Sequence, residues 1–135
     1  MIKNKLSIVL VILWTLLIYI MSSFNAVESS NQSNYIVNVI SNIFNISNIN
    51  LLSLIIRKIA HYIEYLILGI LIINMFIKNN NSKSYLLSIL LCIIYATSDE
   101  IHQLFVLGRS CQVLDIIIDS IGSISGIYLY KLINK

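Results

Sequence analysis

The sequence predicts an all-α polytopic membrane protein: a four-transmembrane-helix bundle with a short amphipathic surface helix between helices one and two. Three observations carry this reading. Hydrophobic residues make up 58% of the 135 positions and charged residues only 11%, with a mean hydropathy of +0.86, which leaves too few polar groups to coat a soluble globule. Four apolar runs each approach the roughly 20 helical residues needed to cross a hydrocarbon core. The charges are also sorted by end. Lys3, Lys5, Lys78, Lys83, Lys131 and Lys135 fall at one end of a four-span arrangement, whereas Arg57, Lys58, Arg109 and all six acids fall at the other. The positive-inside rule then predicts that both termini are cytoplasmic. Because the lysines cluster at segment ends, the net charge of +3 reads as a topology signal. The expected partner is a lipid bilayer, with no nucleic acid, and four spans with short connections leave room for one domain, residues 1–135.

The first span, about 6–22, follows Lys3 and Lys5 and reads as a retained anchor. Cleavage after Ala26 would put bulky Phe24 where a small residue is wanted. Residues 22–34 are rich in Ser and Asn and read as a loop. In Tyr35–Ile46, the residues Ile36, Val39, Ile40, Ile43 and Phe44 recur at i, i+3, i+4, i+7, with Asn38, Ser41, Asn42 and Asn45 opposite. That pattern predicts a short helix, either lying on the membrane or packed as a cap over the bundle. Lacking basic residues, it would have only weak attraction for anionic lipid.

The second span, about 54–77, carries Arg57, Lys58, His61, Glu64 and Tyr65 in its first half. Steps of four and three residues place Arg57, His61 and Glu64 on one inward face. The polar turn Lys78–Lys83 makes spans two and three antiparallel neighbours. The third span, about 85–104, ends in Thr97, Ser98, Asp99, Glu100, His102 and Gln103. After the turn Gly108-Arg109-Ser110-Cys111, the fourth span, about 113–133, aligns Asp115, Asp119, Gly122 and Gly126 on one face. Gly122 and Gly126 form a GxxxG that permits close helix approach. Cys92 and Cys111 sit too far apart along the third span and its following loop for a disulfide.

A helical rise of about 1.5 Å per residue sets Glu64, Asp99 and Asp119 roughly 8 to 10 Å below the outer interface, and His61, His102 and Asp115 roughly 3 to 6 Å below it. Three helices thus deliver acids to a common level, predicting a polar cavity in the outer leaflet. Intramembrane charges cost about 2.5 to 3.5 kcal/mol each on insertion scales, so they are functional candidates. Bland readings stand beside this one: Arg57 and Lys58 as interfacial anchors, and His61 with Glu64 as an interhelical pair. The acid–base candidates are Glu64, Asp99, His61 and His102. The binding candidates are Arg57, Lys58, Tyr65, Glu100, Gln103, Arg109, Asp115 and Asp119. His61, Glu64, Asp99, His102 and Asp119 also form a mixed N/O set of candidate ligands for a divalent cation. Such an ion, two protonated histidines or two protonated carboxyls would neutralise the excess of acids over bases in the cavity.

Three stretches together resemble the VanZ-like family over nearly the whole chain: Lys58-Ile-Ala-His61-Tyr-Ile-Glu64-Tyr65-Leu-Ile-Leu-Gly69, Asp99-Glu100-Ile-His102-Gln103-Leu-Phe105-Val-Leu-Gly108-Arg109, and Asp115-Ile-Ile-Ile-Asp119-Ser-Ile-Gly122-Ser-Ile-Ser-Gly126. Met21-Ser22-Ser23 extends the likeness. The chain departs from the family at Leu107, where proline is frequent, and at Asp119, where asparagine is frequent. The resemblance implies a bacterial cytoplasmic-membrane protein of the cell envelope, associated with resistance to teicoplanin, a lipid-tailed glycopeptide that targets cell-wall precursors. Two main function classes follow. One is a nonenzymatic protein that binds an envelope lipid or a lipid-tailed antibiotic. The other is an intramembrane enzyme acting on an envelope lipid or its head group, with Glu64 or Asp99 as general acid or base, His61 or His102 as partner, and Arg57 and Arg109 on an anionic group. A proton-coupled transporter is a third, which would require dimerisation to form a pathway.

Overall fold

The computed structural model describes residues 2–78 and 84–134, which form five helices and no strand: α1 (Ile2–Ser22), α2 (Ala26–Phe44), α3 (Ile49–Lys78), α4 (Ser84–Gln103) and α5 (Val113–Ile133). The expected polar turn at 79–83, with Lys83, lies outside the described residues, as does Lys135. Four of the helices, α1, α3, α4 and α5, are long and apolar enough to cross a membrane. The protein is therefore a multi-pass, all-helical membrane protein, as its composition requires.

Three helix starts differ from the sequence expectation: α1 begins at Ile2 and not at about 6, and α2 and α3 begin early for local hydrogen-bonding reasons. Residues 26–34 are helical and not a loop. The Asn25 side chain accepts from the Glu28 amide at 2.9 Å while the Glu28 carboxylate accepts from the Asn25 amide at 3.1 Å, a reciprocal capping box. Its donors are satisfied at once, so helix starts there despite the Ser/Asn-rich composition. Asn45, in the left-handed region at φ 51°, closes the far end. Similarly α3 begins at Ile49, about a turn early, because the Asn48 side chain accepts from the Leu51 amide at 3.1 Å.

Helix α3 is the central element and contacts each of the other four. Its closest partner is α5. A methyl group on Gly122 or Gly126 would collide with the carbonyls of Tyr62 or Leu66, and one on Gly69 with that of Ser123. Backbone thus lies against backbone, the close approach expected of the GxxxG. The buried core joins Val11 and Ile18 of α1, Tyr65, Leu68, Ile72 and Ile73 of α3, Cys92 and Ala96 of α4, and Ile127 of α5. Lipid tails are as apolar as this core, so hydrophobic burial alone does not hold such helices together. Directional bonds supplement it: the Trp14 indole donates to the Glu64 carbonyl at 2.9 Å, the Tyr95 hydroxyl to the Thr15 carbonyl at 2.6 Å, and the Tyr130 hydroxyl to Asn74 Oδ1 at 3.2 Å.

The bundle has two chemically distinct ends. At one, Lys131 Nζ lies 5.6 Å from the centre of the Tyr85 ring. At the other meet the C-termini of α1 and α4, the N-termini of α3 and α5, and all of α2. There the Ala26 amide donates to the Leu107 carbonyl at 3.2 Å, tying the start of α2 to the α4–α5 turn. Gly108 has φ +75° and packs on Ala26, so this turn forms from a glycine in the left-handed region directly after Leu107.

Candidate functional site

Two adjoining cavities occupy the polar end. The first, about 180 Å³, lies among α1, α2, α3 and α4 and is lined by Ile18, Met21, Ile36 and Ile56 together with Arg57, His61, Glu64, Asp99 and Arg109. The second, about 190 Å³, is more polar and adds Lys58, Gln103, Gln112 and Asp115; Arg57, His61 and Arg109 line both. The spacing 57, 61, 64 therefore does place three side chains of α3 on one inward face.

The ionisable residues divide into those that are tied and those that are free. Lys58 is ion-paired with Asp115 and lies 3.4 Å from Gln112 Oε1. Glu100, fully buried, accepts from the Gln112 amide at the start of α5 at 2.9 Å and from Gln103 Nε2 at 3.0 Å. A carboxylate is well placed against the positive end of a helix. Gln103 Oε1 in turn accepts from Arg109 Nη1 at 3.3 Å. Thus Glu100 and Gln103 link α5 to Arg109 and help to aim it.

Among the described residues, the Arg57 guanidinium and the Glu64 carboxyl have no hydrogen-bond partner, and Arg109 Nε is buried without one. Burial, and then the neighbouring Arg57, pull the Arg109 pKa below its usual value, against Asp99, Glu100 and Asp115, which raise it. Two guanidiniums on one cavity repel each other, and an anion between them would relieve that repulsion. His61 Nδ1 is buried and faces Asp119 Oδ1 at 3.6 Å. Asp119 is 0% exposed and lines neither cavity, and neither of its oxygens is hydrogen-bonded among the described residues.

Besides Asp119 and Glu100, two further candidates, His102 and Tyr65, line neither cavity. The His102 ring packs on Tyr19 with centroids 4.6 Å apart, and its Nε2 is 3.1 Å from Ser23 Oγ, so it faces α1. Tyr65 is buried in the core beside Tyr95, its hydroxyl unpartnered among the described residues. No group of three or more His, Cys, Asp or Glu among the described residues is arranged to hold a metal ion. Conversely, the sequence reading overlooked Ser29, Gln32 and Ser33 of α2, which wall the first cavity. The signal for them was Asn25 followed by Glu28 three residues later, a capping box inside an apparent loop.

The sequence profile described as VanZ/LLP1 matches residues 7–134, nearly the entire chain. No curated protein and no solved structure matches.

Proposed function

We propose that this chain, which belongs to the VanZ/LLP1 family, binds an anionic amphiphile of the bacterial cell envelope in the cavity at its polar end. The observation that carries the reading is one cavity lined both by Arg57 and Arg109 and by Ile18, Met21, Ile36 and Ile56. An anionic head with an apolar tail suits so mixed a lining. The lysine-rich opposite end favours a cytoplasmic placement of both termini, which opens the cavity to the outer leaflet of the cytoplasmic membrane. In that position the protein competes for, or shields, envelope lipids and lipid-tailed glycopeptides, and so alters susceptibility to teicoplanin, the resistance associated with VanZ. Arg57 and Arg109 hold the anion; His61, Glu64 and Asp99 meet polar groups next to it; Lys58, Glu100, Gln103 and Asp115 keep the wall in place.

Native mass spectrometry of protein extracted from bacterial membranes tests this. Wild type should retain an anionic lipid, and the Arg57→Gln/Arg109→Gln double variant should lose it without a change in melting temperature. A stable double variant with undiminished lipid would sink the reading. Teicoplanin susceptibility of cells expressing either form reports separately on the cellular consequence.

A further inference from the structure

We propose that the cavity also hydrolyses what it holds, a phosphate monoester at the head of a lipid, with His61 accepting the proton of the attacking water and Asp119 positioning His61. This rests on the anion-binding reading above. The ring of His61 borders both cavities, yet its Nδ1 is buried and turned towards Asp119 at 3.6 Å. A carboxylate behind Nδ1 holds the hydrogen on that nitrogen and leaves the lone pair of Nε2 for the cavity, the relation of an oriented general base. The distance is long for a hydrogen bond, as is common for such pairs without substrate, and contracts as the imidazolium forms.

A purely structural role for the pair is poorly matched to its surroundings. Helices α3 and α5 are already locked by the backbone contacts of Gly69, Gly122 and Gly126. Asp119 gains no hydrogen bond among the described residues, whereas a neutral side chain would join two helices at a lower desolvation cost. The ester type follows from the clamp. Two guanidiniums suit a monoester, which carries about −1.5 to −2 charges, better than a singly charged diester. Glu64, on the same face of α3 and without a hydrogen bond among the described residues, is the proton donor.

The step balances without redox change. Water bonds to phosphorus through its oxygen and gives a proton to His61 Nε2. The phosphorus–oxygen bond to the lipid breaks, and the departing oxygen takes the proton of the Glu64 carboxyl. The imidazolium then returns its proton to Glu64. One water is consumed, and a lipid alcohol and inorganic phosphate are released.

The test uses the full chain in phosphatidylcholine nanodiscs containing phosphatidic acid, a lipid monoester, with phosphate release and lipid retention measured separately. Wild type should release phosphate. His61→Gln and Asp119→Asn should each lower kcat by about 100-fold or more at unchanged KM, with phosphatidic acid still bound. Wild type that retains phosphatidic acid but releases no phosphate overturns the hydrolytic inference and leaves binding intact. Wild type that retains none overturns both. An Asp119→Asn variant with wild-type kcat overturns the positioning role; should that variant fail to fold, His61→Gln decides, since unchanged release from it removes the base.

Discussion

Lys58 and Asp115 are ion-paired at the edge of the second cavity, but their surroundings differ: the Lys58 side chain is 31% exposed and that of Asp115 11%. An orphaned lysine can extend towards water along its own stem, whereas an orphaned buried carboxylate cannot. Lys58→Met should therefore destabilise the fold more than Asp115→Asn, costing up to about 3 to 5 kcal/mol, and Lys58→Met/Asp115→Leu should recover part of the loss. Equal losses, read by thermal unfolding in detergent, would refute this asymmetry. Glu100 offers a second residue-scale prediction, because its two oxygens hold the start of α5 and the Gln103 side chain that contacts Arg109. Glu100→Leu should weaken retention of anionic lipid several-fold although it lines neither cavity; unaltered retention would mean that Arg109 needs no such support. The face shared by Arg57, His61 and Glu64 was legible because helical pitch turns spacing into direction. The orientation of His102 was not. Whether a side chain near a helix end faces α1 or α5 depends on how the whole helix is rotated, and Tyr19 and Ser23 provide its contacts here.

Among the elements, α2 was the least legible, since the apolar periodicity that revealed residues 35–46 is absent from its first turns. What begins it is the Asn25–Glu28 capping box. Asn25→Ala should cost about 1 kcal/mol of local stability, visible as faster hydrogen exchange in the first turns of α2 with protection in α3 and α5 unchanged. An unaltered exchange pattern would assign the start of α2 to tertiary contacts alone. The α3–α5 contact is the opposite case: Gly122 and Gly126 announced in sequence a close approach by a neighbouring helix, and the structure supplies α3 as that helix, the two glycines lying against the carbonyls of Tyr62 and Leu66. Gly126→Val should drive these helices apart, abolishing the sharp unfolding transition, and a variant that melts like wild type would contradict the backbone contact. The outer stripe of α2 is differently placed, with Ile43 65% and Phe44 71% exposed while Val37 is buried. The i, i+3, i+4, i+7 stripe is therefore not the face that meets the bundle: Val37 and Ser33, outside it, are buried, whereas Ile36, Val39, Ile43 and Phe44 are exposed.

For the whole molecule, the orientation proposed from the lysines makes a prediction about the two free cysteines. Cys111 lies in the α4–α5 connection and is partly exposed, whereas Cys92 is buried in α4. A membrane-impermeant maleimide added to intact spheroplasts should label Cys111 and spare Cys92; labelling of Cys111 only after lysis would invert the proposed topology. The sequence by itself determined the number of candidate spans and the clustering of acids at one end. These follow from hydrophobic length and charge order, both properties of the chain taken singly. Only the tertiary structure decided which charges satisfy one another and which face a cavity. It pairs Lys58 with Asp115 and ties Glu100 to the start of α5, while leaving Arg57, Glu64 and the His61–Asp119 pair without hydrogen bonds to their side chains among the described residues. Such pairing depends on the rotation and separation of neighbouring helices, which here are fixed by glycine contacts, capping bonds and the α2 wall, and no spacing along one helix encodes where the next will stand.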